Sequence, residues 1–407
     1  MTEQKKILIH LVSFLGIYCT PSILNLLFKT ESLGTYVILY AIMGIILSII
    51  SSEKIKLKYS LLIILIAIFL WSMFTLITTP YAFSKDRFIK AFFSLSVFLH
   101  FSFLLARSFA RLHENYILLL VKKVFFGMIM ISLVSLSLFM SGMTVLGSNY
   151  FPFSEPAHLA RMYGVFLCLN MVINNSLKRK ATYLILTLIF SGLFPSASLL
   201  IYCILAVLLL ILAGEDKKKS KLIPLKIMVT LFFLVTFYTL VDRDYFLGRI
   251  DLSGNSNNLT SLVFFQGLEA TKNILLETNY IGIGLHQMGN EPANYITEMI
   301  STIRSMPIGE GDLNRSDGGF VAAKLISEFG IFGLAIILYY IKTAVYCLLQ
   351  LKKTMHTTHT KIAMTVIVSV APEILIRGGG YFSASLLLMW ASIQYLPKNS
   401  KSNMIAK

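Results

Sequence analysis

A cluster of charged residues near the middle of the chain is the first candidate for chemistry. Glu155, His158 and Arg161 follow one another at intervals of three residues, around Pro156. Proline suits the first position of a helix and the residue before it the cap, so a helix that begins here carries the three side chains along roughly one face. A carboxylate, an imidazole and a guanidinium at a helix N-terminus indicate a site for an anion and a sugar. An ordinary capped helix with solvated charges is the structural alternative.

Two further charged pairs stand four residues apart, the spacing of neighbours on a helix. Glu373 and Arg377 are followed by the glycines 378–380. Either the two form an ion pair, or Arg377 binds an anion in a bidentate manner that lysine does not match. Lys324 and Glu328 have the same spacing, and for them the ion pair is the favoured interpretation.

The segment 242–319 holds the remaining candidates. Three of its arginines are candidate contacts for a diphosphate, although most loop arginines are simply solvated. They are Arg249, Arg304 and Arg315. His286 is either a structural loop histidine or a catalytic one, and the glycines around it lack the spacing of a dinucleotide-binding loop. Asp317 precedes two glycines and an apolar run, and we expect it to be a helix cap or a general base.

The elements that position these residues must be membrane helices. Of the 407 residues, 56% are hydrophobic and 14% are charged, which excludes a water-soluble globule. A helix needs about 20 apolar residues to cross a bilayer, and such runs predict an all-α polytopic integral membrane protein with about 12 transmembrane helices. The predicted spans are 7–27, 33–51, 59–78, 88–106, 120–140, 158–175, 181–195, 198–213, 226–241, 325–347, 362–377 and 381–396.

The distribution of basic residues predicts the orientation of the spans. The strongly basic short connections all fall on one side, which places both termini in the cytoplasm. Residues 1–241 then form the first nine spans, 242–319 form a large external loop, and 320–407 form the last three spans and a cytoplasmic tail. Within the loop, 259–278 and 293–306 are predicted helices. Ten or eleven spans also remain open, because two of the middle spans are short enough to be re-entrant.

The overall charge and the cysteines exclude several other classes of protein. The net charge of +16 comes from basic residues at the ends of apolar runs, so it indicates a membrane and not a nucleic acid as partner. The four cysteines lie inside apolar runs, without the spacing of a metal site or of a disulfide framework. We therefore expect no metal and no cofactor.

The layout of the chain resembles the O-antigen polymerase and O-antigen ligase superfamily of bacterial envelope proteins, in which one large outer loop precedes a late span. Three short motifs contribute to the resemblance: Glu-x-Gly-x-x-Gly in the late span, Gly-x-Gly upstream of it, and Glu-Pro before a middle span. They correspond here to Glu328, Gly330 and Gly333, to Gly282 and Gly284, and to Glu155 and Pro156.

This resemblance implies a class C-like glycosyltransferase (GT-C) architecture in the bacterial inner membrane. Such an enzyme would transfer a growing glycan from one undecaprenyl diphosphate carrier to the terminal sugar of a new lipid-linked repeat unit, without a metal, and so build O-antigen of lipopolysaccharide or capsule. The arginines named above would stabilise the leaving diphosphate, and Glu155, His158, His286 or Asp317 would take the proton of the acceptor hydroxyl. A flippase and a chain-length regulator would be its protein partners.

Three alternatives remain open beside the repeat-unit polymerase (Wzy-type). Ligases of the superfamily usually carry a catalytic histidine just before the late span, where this chain has Ser316, Asp317 and Gly318. That difference favours the polymerase, but His286 and Gln287 are a candidate displaced equivalent. A lipid-linked oligosaccharide flippase would share the basic charge and the spans, although the large outer loop argues against it. A membrane scaffold predicts no dependence on single arginines.

Overall fold

The computed structural model describes residues 59–212, 259–300 and 315–405, each range with short gaps, and part of 16–28. The predicted spans 33–51 and 226–241 and most of 7–27 lie outside these residues, as do Arg249 and Arg304. The predicted helix at 293–306 also falls largely outside them. The part of the chain that is described is helical and contains no β-strand.

The helices are numbered in chain order within the described residues. They are α1 (Tyr59–Thr78), α2 (Lys85–Arg111), α3 (Glu114–Ser141), α4 (Pro156–Ile173), α5 (Leu177–Leu193), α6 (Ala197–Leu212), α7 (Leu259–Glu277), α8 (Val321–Gln350), α9 (Thr358–Ser369), α10 (Ala371–Leu375) and α11 (Ala384–Ile405). A 3-10 turn, Arg315–Asp317, precedes α8. Helix α7 coincides with the helix predicted at 259–278.

Five of these helices are long and apolar enough to cross a membrane, namely α1, α2, α3, α4 and α8. Helix α6 and the first part of α11, Ala384–Leu396, are apolar but shorter. The bounds of α1 are those of the predicted span 59–78, and the other four overlap predicted spans. These helices are those of a membrane-embedded protein, while the total of about 12 spans stays a prediction.

Helix α4 is the central element of the packed helices. Residues 159–171 are all buried, and the helix packs against α3, α6 and α9. Pro156 at its first turn explains where it begins, and apolar side chains around its whole circumference explain why it lies inside the bundle. Arg161 near its N-terminus is therefore buried in the protein interior, while Glu155 before its first turn stays partly exposed.

The predicted span 362–377 is broken in two. Helix α9 ends at Ser369, the short α10 follows, and a loop leads from there to α11. Pro372 explains the break, because a proline inside a helix removes a backbone hydrogen bond and clashes with the preceding turn. Arg377 and the glycines 378–380 therefore lie in a loop and not at the end of a span.

Helix α8 is interrupted at Gly330, whose φ of 57° and ψ of −130° are not helical. The loop after α7 lies against the interruption: Ile331 N–H donates to the Tyr280 carbonyl at 2.9 Å, and Gly284 N–H donates to the Glu328 carbonyl at 2.8 Å. A Cβ at position 330 would collide with the Tyr280 oxygen, so this approach requires glycine. The Gly-x-Gly and Glu-x-Gly-x-x-Gly motifs are thus in direct contact.

Candidate functional site

Two clusters of charged and polar side chains approach each other in the described part of the protein, and each is named here after the helix that carries its buried cation. The α4 cluster consists of Glu155, His158, Arg161, Glu373 and Arg377. The α8 cluster consists of His286, Asp317, Lys324, Glu328 and Tyr381. Most of the site residues predicted from the sequence belong to one cluster or the other.

Glu155 connects the parts of the α4 cluster. It occupies the predicted cap position before Pro156, but its side chain makes no capping hydrogen bond. Its carboxylate instead lies 3.2 Å from His158 Nε2 and accepts a hydrogen bond of 3.1 Å from Arg377 Nη2. One carboxylate therefore holds an imidazole from α4 and a guanidinium from the loop after α10.

Arg161 is the buried cation of the α4 cluster, with 8% of its surface exposed. Its Nη1 lies 3.9 Å from Oε1 of Glu373, which is fully buried. The alternative in which Glu373 pairs with Arg377 is therefore wrong. Because α10 ends before Arg377, the two residues no longer share a helix face, and the chain leads Arg377 to Glu155 instead.

Lys324 is the buried cation of the α8 cluster and is fully enclosed. Its ammonium donates to Asp317 Oδ1 at 2.9 Å and to the Ser316 carbonyl at 2.7 Å, and it lies 5.3 Å from the centre of the Tyr381 ring. The predicted ion pair with Glu328 is therefore wrong, because helical side chains point towards the helix N-terminus, where the 3-10 turn presents Asp317. Glu328 instead accepts a hydrogen bond of 2.9 Å from Tyr381 Oη.

His286 lies beside the Lys324–Asp317 pair in an uncommon backbone conformation. Its φ is 60°, a value that few residues with a Cβ adopt, and its Nδ1 is buried without a hydrogen-bond partner among the described residues. Burial, together with the charges of Lys324 and Arg87, lowers the pKa of His286 to about 3 against the opposing charge of Asp317. The imidazole is therefore neutral at physiological pH and is able to accept a proton.

Asp317 stays ionised although it is partly buried. Burial alone would raise the pKa of this carboxyl, but the charge and the hydrogen bond of Lys324, with smaller contributions from His286 and Arg87, outweigh burial and lower it. A carboxylate with a lowered pKa is a weaker base. The lowered pKa of His286 makes it a weaker base as well. Asp317 is already engaged by the Lys324 ammonium, whereas His286 Nδ1 has no hydrogen-bond partner among the described residues, so His286 is the better placed of the two to take a proton.

The loop that carries His286 is fixed to the start of α2. The side chain of Gln287 accepts a hydrogen bond of 2.7 Å from Ser84 N–H and donates one of 3.2 Å to the Ser84 carbonyl. Arg87 donates to the Met288 carbonyl at 2.7 Å and to Asn290 Oδ1 at 2.9 Å. No local pattern predicts this role of Arg87, because Asn290 is 203 residues away along the chain.

The glycines 378–380 lie between the two clusters. A Cβ at Gly379 would collide with the Arg161 guanidinium, and a Cβ at Gly380 would lie 3.0 Å from Asp317 Oδ1. The N–H of Gly378 donates to a carbonyl just before α8 at 3.0 Å, which fixes the loop there. The glycine run therefore lets the arginine of one cluster and the carboxylate of the other approach the same short backbone segment.

Arg315, a predicted diphosphate contact, is engaged outside the two clusters. Its Nε lies 3.6 Å from Oε1 of Glu291, and its Nη2 donates to the Glu291 carbonyl. Glu291 also accepts a hydrogen bond of 2.6 Å from Gly289 N–H. Arg315 therefore helps to fix the loop that carries His286, and its contact with a diphosphate stays a prediction.

The chemistry that this arrangement supports is charge stabilisation and proton transfer. Arg161 and Arg377 offer guanidinium donors at the N-terminus of α4, where backbone N–H groups add positive potential. His286 offers a neutral imidazole beside Asp317. Among the described residues, no group of three or more His, Cys, Asp or Glu side chains is arranged to hold a metal ion.

Three kinds of comparison bear on the family of this protein. Protein-family models, curated proteins and solved structures all give no match to this chain. The chemistry of the two clusters and the resemblance of the sequence to the polymerase and ligase superfamily are therefore what indicates a function.

Proposed function

We propose that this protein is a polysaccharide repeat-unit polymerase with a GT-C-like architecture. It joins undecaprenyl-diphosphate-linked oligosaccharides into O-antigen or capsular polysaccharide, by metal-independent glycosyl transfer on the outer face of the bacterial inner membrane. The observation that carries the proposal is the approach of the α4 and α8 clusters to the glycines 378–380. Cations suited to a leaving diphosphate and a neutral base thus lie in one region of a membrane-embedded protein.

The proposed reaction is a displacement at the anomeric carbon of the donor glycan. The hydroxyl oxygen of the acceptor sugar forms a bond to that carbon, while the bond from the carbon to the diphosphate oxygen breaks. The diphosphate leaves with the bonding electron pair, and a base takes the hydroxyl proton. Fixed positive groups stabilise the charge that develops on the leaving oxygen without rearranging during the reaction.

Each cluster has a distinct role in this reaction. Arg161 and Arg377 bind the diphosphate, and Arg377, 28% exposed, exchanges Glu155 for a phosphate oxygen when the donor arrives. His286 takes the proton on its buried Nδ1. Glu155 and His158 position Arg377 and do not themselves carry the proton in this scheme.

One observation favours a second candidate, the O-antigen ligase. His286 lies close enough to Asp317 and Lys324 for their charges to influence its pKa, and both residues stand at the start of α8. Ligases of the superfamily carry their histidine just before this late span. A ligase would use the same cations and imidazole to transfer finished polymer from its carrier to a final acceptor.

Purified protein in liposomes, supplied with lipid-linked repeat units, separates the candidates. A polymerase produces a ladder of longer lipid-linked glycans on a gel and releases undecaprenyl diphosphate. A ligase produces no ladder from single repeats but transfers preformed polymer to an added acceptor lipid. A flippase moves the lipid-linked repeat across the vesicle membrane without changing its mass, and this result together with the lack of a ladder would overturn the proposal.

A further inference from the structure

A cavity of about 170 Å³ lies near the end of α2, far from the two clusters. Arg107, in its lining, is separated from Arg87 at the His286 loop by twenty residues of α2, roughly 30 Å of helix. The walls of the cavity come from the last turns of α2 and from α11, and they include Arg107, Arg111, Gln394 and Tyr395. None of these residues belongs to the proposed glycosyl-transfer site.

The cavity is lined by two arginines and by one side-chain acceptor. Arg107 and Arg111 are one helical turn apart, and the Arg107 guanidinium lies over the Phe103 ring at 5.8 Å. Arginines at a helix C-terminus are common because they complement the helix dipole, so they do not by themselves indicate a ligand. Gln394 supplies a second observation: its Nε2 donates to Ser102 Oγ at 2.7 Å, whereas its Oε1 is buried without a partner among the described residues.

A second cavity, of about 80 Å³, shares the lining residue Ala106 with the first and is mostly apolar. Its lining includes Leu105, Val121, Phe166 and Leu388 and contains no charged side chain. Ala106 lines both cavities. A cationic recess and an apolar recess therefore lie on either side of one small residue, which is an arrangement that suits an amphipathic ligand.

We propose that the two cavities together bind one anionic phospholipid. Its phosphate lies against Arg107 and Arg111, whose planar guanidiniums donate to phosphate oxygens in pairs, and the first part of an acyl chain enters the apolar cavity. A hydroxyl of a phosphoglycerol headgroup donates to Gln394 Oε1. The predicted topology places this end of α2 at the cytoplasmic leaflet, where anionic lipids and juxtamembrane arginines attract each other. This proposal is independent of the proposed polymerase activity.

Thermal unfolding of the full-length protein in detergent tests the site. Phosphatidylglycerol should raise Tm, and phosphatidylcholine with the same chains should raise it much less. In Arg107→Gln/Arg111→Gln we expect the affinity for phosphatidylglycerol to fall at least about tenfold, the factor that one charge-assisted hydrogen bond is worth. Lys178→Gln/Arg179→Gln is the matched control, because it removes two charges from exposed positions at the start of α5 and should leave the affinity unchanged.

Three results would overturn the proposal. The first is equal stabilisation by the two lipids, and the second is an equal loss of affinity in the control variant. The third is a full Tm shift with inorganic phosphate alone, which would assign the recess to free phosphate. If the glutamine variant does not purify, native mass spectrometry of the wild-type protein decides: failure to retain phosphatidylglycerol over phosphatidylcholine from an equimolar mixture contradicts the proposal.

Discussion

At the scale of single residues, the two buried cations are held in different ways. Lys324 donates two short hydrogen bonds, to Asp317 and to the Ser316 carbonyl. Arg161 lies 3.9 Å from Glu373 and donates a longer bond of 3.4 Å to Ala157 in its own helix. A guanidinium has five N–H donors, so Arg161 has donors to offer a ligand. The ammonium of Lys324 has three donors, and two of them are used in hydrogen bonds to Asp317 and Ser316.

Arg161 is the residue at which stability and function are hardest to separate. Replacing it by alanine leaves Glu373 as a buried carboxylate without its cation, and we expect a loss of about 3–5 kcal/mol of stability and of polymer. Adding Glu373→Gln should restore the amount of folded protein on size-exclusion chromatography without restoring polymer on a gel. Polymer regained in the double variant would show that Arg161 serves the fold alone. The exposed Arg179→Ala is the control.

Arg377 tests the proposed diphosphate site with less effect on stability. Its ion pair with Glu155 is partly exposed, at 28% and 41% for the two side chains, and such pairs contribute about 0–1 kcal/mol. We expect Arg377→Ala to accumulate normally and to make no polymer, and Arg377→Lys to make some, as measured by blotting and by gel. The control is Lys90→Ala, which removes an exposed pair with Asp86. Normal polymer in Arg377→Ala would exclude Arg377 from the site.

His286 makes the stability of the protein depend on pH. Its pKa is about 3 in the folded protein and 6.5 at its ordinary value, so between these values the unfolded chain binds a proton that the folded protein does not. Stability therefore falls as the pH drops below 6.5, by about 2 kcal/mol at pH 5. Asp317, whose pKa is also lowered, adds to the loss at still lower pH.

The variant His286→Gln should remove this pH dependence. Its Tm, followed by thermal unfolding from pH 7.5 to 5, should decline less steeply than that of the wild-type protein, because glutamine does not titrate. Parallel Tm curves for the two proteins would mean that His286 is not held neutral. The same variant should make no polymer if the imidazole is the base.

At the scale of elements, the interruption of α8 is the feature on which the site geometry depends. Gly330→Ala should lower stability by at least about 3 kcal/mol, because a Cβ there adds a collision with the Tyr280 carbonyl to the strain of a positive φ. Gly142→Ala is the matched control, with a φ of 69° and no atom within 4 Å of the added Cβ, and should lose about 1–2 kcal/mol. Equal Tm values for the two variants would contradict the contact at Gly330.

The sequence predicts these elements well where local rules decide them. The start of α4 at Pro156 follows from proline at a first helical position, and the bounds of α1 follow from an uninterrupted apolar run. Spacing alone misassigns the ion pairs, because the rule for residues four apart assumes one continuous helix. Pro372 breaks the helix, so Glu373 and Arg377 do not lie on one helix face. Lys324 pairs with Asp317 in the turn before α8 and not with Glu328.

The contacts between distant segments are the part that sequence reasoning could not supply. Gly330 stands in an apolar run that predicts a continuous helix, and its conformation is set by the loop after α7 that lies against it. Arg87 lies in the first turn of α2, where no local pattern indicates its contact with the His286 loop. In both cases the partner lies far along the chain, so no spacing rule reaches it.

At the scale of the whole molecule, the described helices place the clusters and the basic connections at opposite ends. Helices α2 and α4 both begin near the clusters, and the basic stretches 107–115 and 176–180 follow at their far ends. The start of α9 joins that far end, because Thr358 Oγ1 donates to Glu114 at 3.1 Å and His359 Nε2 lies 2.8 Å from the Leu112 carbonyl. With the basic connections at one end and the clusters at the other, the arrangement agrees with the rule that basic residues are concentrated on the cytoplasmic side.

Reporter fusions test which end faces outward. Alkaline phosphatase fused after Gly289, in the loop that carries His286, should be active, and a fusion after Asn175, between α4 and α5, should be inactive, because the basic residues hold that end in the cytoplasm. Green fluorescent protein at the same two positions is the reciprocal control, since it should fluoresce only after Asn175. The reverse pattern of activity and fluorescence would invert the predicted topology.

The pairing of Arg161 with Glu373 also has a consequence for the order in which the protein is synthesised and folded. Arg161 leaves the ribosome roughly 200 residues ahead of Glu373, which at about 5–20 residues per second amounts to roughly 10–40 s. During that interval α4, a candidate membrane span, has a guanidinium near its N-terminus without the matching carboxylate, and a charge of this kind is tolerated in a membrane while the side chain reaches water or the lipid headgroups. We therefore expect the nascent α4 to stay near the membrane surface until the segment that carries Glu373 has been made.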